Sequence, residues 1–258
     1  MKNINIFIVA ATLLTVGCEN EVKTNLDNTI IEKAVDSTNV MKTPSLQSLL
    51  DERKANFEKT ATDDKKQKYA EGLQAVRDSQ IVENALQLGD IAPDFTLTNA
   101  SGEAVNLYNE LESGPVILMW YRGGWCPYCN ITLHAMQENL PKFKAHGANL
   151  LALTPELPDS SMSTTEKNEL AFQVLSDVDN RIARTYKVVF KLTEAVGNLY
   201  ENGFGLSKYN GNNSNELPLA ATYIIGQDKV IKYAFLDADY RNRAEPSEII
   251  EVLNSLSK

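Results

Sequence analysis

The chain has 258 residues, of which 43% are hydrophobic, and it carries a formal net charge of −9. This length supports one sizeable hydrophobic core and does not favour two. Because the chain is acidic and has no concentrated stripe of lysine and arginine, we expect it to repel nucleic acid and anionic lipid headgroups, so neither is a predicted partner.

Residues 1–17 have the pattern of an export signal, not of a folded element. Lys2 precedes an almost unbroken apolar run, Ile4–Val16, which is too short to cross a bilayer comfortably as a helix. The five residues that end at Cys18 (LTVGC) resemble the lipobox of bacterial lipoproteins, although Thr15 stands where that motif prefers leucine. The resemblance implies a lipid on Cys18 and an exported protein that faces the periplasm or the cell exterior, bound to the membrane only through that anchor. The alternative is an ordinary secretory signal in which this cysteine is incidental.

The number of cysteines in the chain helps to interpret the pair Cys126 and Cys129. The chain has three cysteines, Cys18, Cys126 and Cys129. If the first carries a lipid, only the pair remains, and no structural disulfide can form elsewhere. A domain of this size does not need one for stability, so the pair is predicted to carry chemistry.

A polar tether and a helical extension precede the main domain. Residues 18–42 have no sustained period and predict a tether that holds the domain off a membrane. Thr43-Pro44-Ser45 is a helix-start signal, and apolar residues follow at helical spacing up to about residue 85. For residues 43–87 we therefore predict two amphipathic helices packed on the main domain, with a dimer arm as the alternative.

Residues 88–258 predict one α/β domain. Val116–Trp120 is a continuous apolar run, typical of a central strand covered on both faces. A helix follows the cysteines, and we expect Pro141 to kink or end it. Residues 188–215, rich in Gly and Asn, are expected to be irregular and free to wrap around the site. The other predicted strands lie near Leu97 and at Ala148–Leu153, Thr222–Ile225 and Val230–Phe235, and the other helices at Glu166–Leu170, Asn180–Tyr186 and Ser247–Leu256. This order is that of a thioredoxin-like three-layer sandwich with a central mixed sheet.

The Cys126-Pro127-Tyr128-Cys129 motif lies between the central strand and the next helix. Unpaired amides and the dipole at a helix N-terminus stabilise a thiolate, and lowering a thiol pKa from ~8.5 to ~7 raises its thiolate fraction from about 3% to about half at neutral pH. Cysteines one helical turn apart can close a small disulfide ring, so one sulfur attacks and the other resolves. Pro127 stiffens the loop, and Trp125 is predicted to flank the sulfurs with an apolar contact.

A zinc site and a structural disulfide are two other interpretations of the pair. Half of a zinc site would need two more ligands, and only His134 and His146 offer imidazoles; both are expected to be solvated surface residues. A purely structural disulfide would close so short a loop that it would add little stability. We therefore expect no metal and no other cofactor.

Several segments together resemble the peroxiredoxin-like branch of the alkyl hydroperoxide reductase/thiol-specific antioxidant family. They are Phe95–Leu97, Trp120–Cys129, Leu175–Asp177 and Asp237–Pro246, and the resemblance covers roughly residues 46–258. It implies a thioredoxin fold and the reduction of peroxides or disulfides, with electrons from thioredoxin or a similar dithiol protein.

The chain departs from this family in the register of its cysteines. Family members have Pro, then Thr, then the peroxidatic Cys, which in this chain puts Arg122 on the Pro, Cys126 on the Thr and Cys129 on the attacking position. In the thioredoxin register the roles are exchanged, so that Cys126 attacks and Cys129 resolves. The first cysteine of the motif is expected to lie nearest solvent and the free amides, which modestly favours Cys126 as the attacker.

A second departure concerns an arginine. Ala220 occupies the place where typical members have an Arg and thioredoxins have a cis-proline. The guanidinium that would activate thiolate and peroxide must then come from Arg122, Arg241 or Arg243. For the last two, a surface ion pair with a nearby carboxylate is an equal alternative.

Three functions follow as hypotheses. The first is a thiol peroxidase that reduces hydrogen peroxide or organic hydroperoxides with a thioredoxin-like dithiol reductant. The alternative is an exported thiol–disulfide oxidoreductase acting on protein disulfides. The third is a non-catalytic binding module on a thioredoxin scaffold.

Overall fold

A computed structural model of the protein describes residues 44–99 and 101–256. The predicted signal, the lipid attachment at Cys18 and the tether lie outside the described residues. From Pro44 onward the chain forms one compact unit. Within the described ranges, no helix combines the length and the apolar character needed to cross a bilayer.

Helices come first among the described residues, and strands and helices then alternate along much of the chain. The strands are β1 (Thr96–Thr98), β2 (Ala104–Asn106), β3 (Val116–Trp120), β4 (Asn149–Thr154), β5 (Gln173–Ser176), β6 (Val189–Lys191), β7 (Glu216–Pro218), β8 (Thr222–Ile225) and β9 (Ile231–Phe235). The α-helices are α1 (Leu46–Thr60), α2 (Asp63–Asp78), α3 (Ile81–Asn84), α4 (Leu107–Ser113), α5 (Pro127–Ala145), α6 (Pro158–Lys167), α7 (Arg181–Thr185), α8 (Glu194–Phe204), α9 (Leu206–Asn210) and α10 (Pro246–Leu256).

A five-stranded mixed sheet forms the centre of the molecule, with strand order β5-β4-β3-β8-β9. The pairs β3–β4 and β4–β5 are parallel, whereas β8 runs antiparallel to both β3 and β9. Side chains along β3 alternate between two core clusters: Leu118 and Trp120 belong to one, Ile117 and Met119 to the other. Every residue of β3 is buried, which confirms the central, doubly covered strand.

The two predicted N-terminal helices are present and pack on the main domain. Ser45 caps α1 by accepting a hydrogen bond from the Ser48 N–H, and α1 packs against α5 while α2 packs against α8. Leu46 and Leu50 are buried in the core cluster that contains both sulfurs. The Gln47 N–H also donates to the Glu245 carboxylate at 2.6 Å, so the extension contacts the segment before α10.

Three sequence expectations were wrong in detail. Helix α5 continues to Ala145 past the exposed Pro141, so the proline does not end the helix. Helix α6 begins at Pro158, well before the predicted Glu166. Residues 188–215 are not irregular but form β6, α8 and α9. The Gly and Asn residues of α8 lower its helix propensity, and tertiary packing of Val196 and Tyr200 overrides it.

Candidate functional site

Both sulfurs lie where the chain turns from β3 into α5. Cys126 is the N-cap of α5, and Cys129 lies in its first turn. Both thiols are free and buried, with 2% and 0% of their surface exposed. Gly123 in the connecting loop has φ +148°, and a Cβ there would lie 2.2 Å from the Trp125 indole nitrogen, so only glycine fits.

Arg243 lies against the second sulfur. Its Nη2 is 3.7 Å from the Cys129 sulfur, and its Nη1 donates to the Asn242 carbonyl at 2.8 Å. The side chain is buried and comes from the segment between β9 and α10. Arg241 has a different place: it forms an ion pair with Asp239, with Nη2–Oδ2 at 2.7 Å and Nε–Oδ1 at 2.8 Å. The ion-pair alternative therefore holds for Arg241 and not for Arg243.

Arg122 is also buried, and aromatic rings surround it. Its guanidinium carbon is 4.0 Å from the Tyr240 ring centroid, 5.2 Å from that of Trp125 and 5.3 Å from that of Tyr200. Its Nη2 donates to the Tyr200 hydroxyl at 2.7 Å. Such cation–π contacts are worth about 2 kcal/mol when desolvated, so the rings hold the charge in place without a carboxylate.

The environment gives the two thiols opposite acidities. Burial alone would raise the pKa of Cys129, but a hydrogen bond from Cys126 and the charges of Arg243 and Arg122 outweigh it and lower the pKa to about 5. Burial, together with that same hydrogen bond, raises the pKa of Cys126 well above its usual range. The two shifts favour the thiolate at Cys129, with the Cys126 thiol as its hydrogen-bond donor.

This order of acidity is the reverse of the one that helix position favours. The expectation for Cys126 assumed a first cysteine near solvent and the free amides of the helix. In the structure the N-terminus of α5 is covered, so desolvation dominates at Cys126, and the arginine charges act on Cys129. The geometry thus supports the peroxiredoxin register of the motif.

Sequence reasoning missed a buried carboxyl beside the loop. Glu156, two residues after β4, is fully buried and accepts a hydrogen bond from the Gly124 N–H at 3.0 Å. The Thr154 hydroxyl lies 3.4 Å from its other oxygen. Burial raises the pKa of Glu156 to about 7, and the negative charge of Cys129 adds to the effect. The available signal was a single acid directly after a buried parallel strand.

Aromatic side chains of α8 close the site, and these too were missed. Trp125 stacks on Phe204 with ring centroids 4.5 Å apart and packs against Tyr200 at 5.2 Å. Tyr128 packs edge-on against Tyr240 at 5.6 Å. Pro127, by contrast, is the exposed first residue of α5. Trp125 packs against the core cluster that contains both sulfurs, and its partners on α8 were not predicted.

The two histidines lie on the surface side of the molecule. His134 is exposed and pairs with Glu138 on the same face of α5 at 3.6 Å, and His146 ends that helix. Within the described part of the chain, no group of three or more His, Cys, Asp or Glu side chains is placed to hold a metal ion.

Comparison with known proteins adds independent findings. The sequence profile of the AhpC/TSA family matches residues 88–234. The chain is 30% identical to peroxiredoxin Bcp of Escherichia coli K12 over 105 residues, which is 41% of this chain and 67% of that protein. It is 30% identical over 108 residues to the thiol-disulfide oxidoreductase ResA of Bacillus thuringiensis subsp. konkukian, covering 42% of this chain and 61% of ResA.

A solved structure supports the fold. Peroxidoxin BcpB of Mycobacterium tuberculosis superposes with a TM-score of 0.53 at 17% sequence identity, covering 66% of this chain and 98% of that one. At this identity the likeness shows the fold alone, which is thioredoxin-like. The helices before residue 88, and Arg243, lie outside the family match.

Proposed function

The chain belongs to the AhpC/TSA family, and from this premise we propose that it is a thiol peroxidase in which Cys129 attacks hydroperoxides and Cys126 resolves the product. The single observation that carries the proposal is the buried Cys129 sulfur with the Arg243 guanidinium 3.7 Å away. A nucleophilic thiolate needs such a positive environment. A peroxide is small enough to enter a covered site, whereas a folded protein disulfide is not.

The proposed reaction oxidises Cys129 to a sulfenic acid and then forms a disulfide with Cys126. The Cys129 thiolate attacks the terminal oxygen of ROOH, the O–O bond breaks, and the sulfur keeps the OH group as a sulfenic acid. The leaving alkoxide takes up a proton and departs as ROH, or as water when the substrate is hydrogen peroxide. The Cys126 sulfur then attacks the sulfenic sulfur, which forms the disulfide and releases water. A thioredoxin-like dithiol protein returns two electrons and two protons, and this step requires the cover over the oxidised pair to open locally so that the attacking thiolate reaches one of the two sulfurs.

The two arginines have a role in the first step. Negative charge moves from sulfur to the leaving oxygen as the O–O bond breaks, and fixed donors in a site without water stabilise such charge strongly. Arg243 contacts the thiolate, and Arg122 has two further guanidinium nitrogens without a partner among the described residues. In the proposed mechanism they replace the arginine that is absent at Ala220.

Stopped-flow oxidation tests the proposal. The reduced wild-type protein is mixed with hydrogen peroxide and with cumene hydroperoxide, and the oxidation of Cys129 is followed by Trp fluorescence. We expect a second-order rate constant at least about a hundredfold above that of a free small thiol at the same pH, because the thiolate and the leaving oxygen are both stabilised. A rate equal to that of the free thiol would remove the proposal.

A second candidate function is thiol–disulfide exchange on protein substrates. The Cys-X-X-Cys spacing and the similarity to ResA favour it. The burial of both sulfurs, in a core cluster that includes Leu46 and Leu50 of α1, opposes it, because a protein disulfide must reach the attacking sulfur. Reduction of insulin faster than reduction of peroxide would support this function over the peroxidase.

We also propose that the mature protein is an exported lipoprotein anchored through Cys18. The support is the sequence LTVGC after an apolar run and a single basic residue. An anchor of this kind leaves the domain itself in water and needs no transmembrane helix.

A further inference from the structure

A buried carboxyl lies beside the loop that leads to the two cysteines, and the proposed peroxidase steps do not use it. Glu156 follows β4 and is fully buried. Strands β3 and β4 are parallel neighbours, and the Tyr121 N–H donates to the Leu153 carbonyl at 2.9 Å where both strands end. Parallel strands that end together place the residues after them at one edge of the sheet. Glu156 therefore meets the loop, and it accepts a hydrogen bond from the Gly124 N–H at 3.0 Å.

The polar partners of this carboxyl are neutral groups. They are the Gly124 N–H from the loop, the Thr154 hydroxyl from β4 and the Tyr121 hydroxyl from the end of β3. Helix α6 adds the uncharged Thr164, next to the Tyr121 hydroxyl. Among the described residues, no lysine, arginine or histidine forms an ion pair with Glu156. A buried carboxylate without a cation is costly, so these surroundings favour the protonated form.

The Cys129 sulfur supplies a negative charge that acts on Glu156. Burial is the larger cause that raises the pKa of Glu156 to about 7, and the charge of Cys129 raises it further. The charges of Glu156 and Cys129 also raise the pKa of the buried Tyr121 hydroxyl well above its usual range, so that group stays neutral beside both. Like charges repel strongly in a medium of low dielectric constant. The site therefore favours one negative charge, on the sulfur or on the carboxyl.

We propose that Glu156 supplies the proton that oxidation of Cys129 requires: it holds the proton while Cys129 is a thiolate and releases it when the sulfur loses its charge. This role rests on the proposed oxidation of Cys129 and goes beyond it by naming the source of a proton. Glu156 acts through the charge of Cys129 and needs no contact with the peroxide.

The protons and electrons of one turnover then balance. The Cys129 thiolate, the Cys126 thiol, protonated Glu156 and ROOH give the disulfide, the Glu156 carboxylate, ROH and water. Two electrons pass from the sulfurs to the O–O bond, one proton comes from Cys126, and the other comes from Glu156. The site carries one negative charge on these groups before and after the reaction. The dithiol reductant returns one proton to Cys126 and one to Glu156.

Infrared spectroscopy can measure the proton on Glu156. The C=O stretch of protonated carboxyls is followed against pH in the reduced protein and in the disulfide form, which is prepared with diamide so that no peroxide is needed. We expect a wild-type band that titrates near pH 7 in the reduced protein and at least about one pH unit lower in the disulfide form, because a nearby like charge is gone. Glu156→Gln should lack this band. Equal midpoints in the two wild-type forms overturn the inference.

Asp177 provides the matched control. It is also a buried carboxyl with a pKa raised by burial, but it accepts hydrogen bonds from the Ile182 and Ala183 N–H groups at 2.8 Å, and its charged neighbour is Arg181. Asp177→Asn should therefore leave the redox-dependent band in place. A redox-dependent band that is lost in Asp177→Asn and kept in Glu156→Gln rejects the assignment to Glu156.

A proton count separates this role from a structural one. Diamide oxidises the reduced protein in weakly buffered solution at pH 6.5, between the two expected midpoints, and an indicator dye reports the protons taken up. Glu156→Gln should take up one proton per disulfide, and the wild type roughly half of that, because Glu156 supplies the rest. If the wild type reduces no peroxide, the proposed peroxidase function fails, but this count still decides the role of Glu156. A full proton taken up by the wild type rejects that role, whether or not Glu156→Gln folds.

Discussion

At the scale of single residues, two opposing effects act on the Cys129 sulfur. Burial disfavours the charged thiolate, whereas the hydrogen bond from the Cys126 thiol and the charges of Arg243 and Arg122 favour it. The favourable contributions win because each is a direct contact or a nearby charge in a medium of low dielectric constant. The pKa of Cys129 thus depends on the Cys126 thiol and the two arginines more than on the start of the helix.

Replacing Arg243 with glutamine should raise the pKa of Cys129. An opposite charge this close shifts a pKa by about 1–3 units, so the thiolate absorbance at 240 nm should titrate well above its wild-type midpoint of about 5. The rate of peroxide oxidation should shift to higher pH in parallel. Arg241→Gln is the matched control, because that guanidinium is bonded to Asp239. Equal titration curves for wild type and Arg243→Gln would contradict the assignment.

Glu156 and Cys129 should oppose each other in the pH dependence of stability. The pKa of Cys129 is lowered to about 5, so its contribution is present above its unfolded pKa and is lost as pH falls through 5. The pKa of Glu156 is raised to about 7, so its contribution is present at acid pH and is lost as pH rises through 7. Between pH 5 and 7 the two slopes have opposite signs and cancel.

The Glu156→Gln variant removes one of these slopes. Its free energy of unfolding, relative to wild type, should increase by up to about 1.4 kcal/mol per pH unit between pH 5 and 7. Urea denaturation of the reduced proteins at pH 5.5 and 6.5 measures this difference. A difference that is the same at both pH values would show that Glu156 does not hold a proton in the folded state.

At the scale of elements, the cover over the sulfurs comes from parts of the chain far from the motif. Helix α1 packs on α5, α8 provides Tyr200 and Phe204 around Trp125, and the segment before α10 carries Arg243. The site is therefore closed from several sides. The access of small molecules to the two sulfurs should therefore depend on how stably α1 packs against α5.

Leu50→Ala should loosen α1 and expose the sulfurs. Leu50 is 1% exposed, and a buried Leu→Ala change costs about 2–5 kcal/mol of stability. We expect the alkylation of Cys129 by iodoacetamide to accelerate under native conditions, because local opening of α1 becomes less costly. Glu52→Ala on the exposed part of the same helix is the control. Accelerated alkylation in the control but not in Leu50→Ala would contradict this view of the cover.

The sequence predictions were accurate where neighbouring residues determine the structure, and inaccurate where contacts between distant residues determine it. Strand β3 was predictable because five consecutive apolar residues describe a doubly covered strand. Helix α8 was not, because Gly197 and its neighbours weaken the local signal and only packing makes the helix. The place of Arg243 could be offered only as one of three options, since its contact with Cys129 spans 114 residues of chain. The place of Glu156 just after a buried parallel strand was its one signal, and that place alone does not show that a side chain is buried.

At the scale of the whole molecule, the thioredoxin-like sheet holds the motif while the parts outside the family match complete the site. The sheet places the end of β3 and the start of α5, and the extension adds α1, whose Leu46 and Leu50 lie in the core cluster that contains both sulfurs. Arg243, beyond the matched residues, provides the guanidinium beside the thiolate. The shared fold accounts for the family membership. In the proposed mechanism the departures in the motif are compensated by an arginine from another part of the chain, Arg243, in place of the one absent at Ala220.

The proposed lipid anchor is testable on the whole protein. When the full chain is expressed in a bacterium, the wild type should sediment with membranes and Cys18→Ser should be found in the soluble exported fraction, because two acyl chains are enough for stable anchoring. Cys126→Ser should sediment like the wild type and serves as the cysteine control. A soluble wild type would exclude the anchor.

The central claim is that Cys129 is the sulfur that attacks peroxide. It is tested most directly by trapping sulfenic acid with dimedone in the Cys126→Ser and Cys129→Ser variants after one equivalent of hydrogen peroxide, and by locating the adduct with peptide mass spectrometry. We predict a stoichiometric adduct on Cys129 in Cys126→Ser and none on Cys126 in Cys129→Ser. An adduct on Cys126, with none on Cys129, would contradict the account.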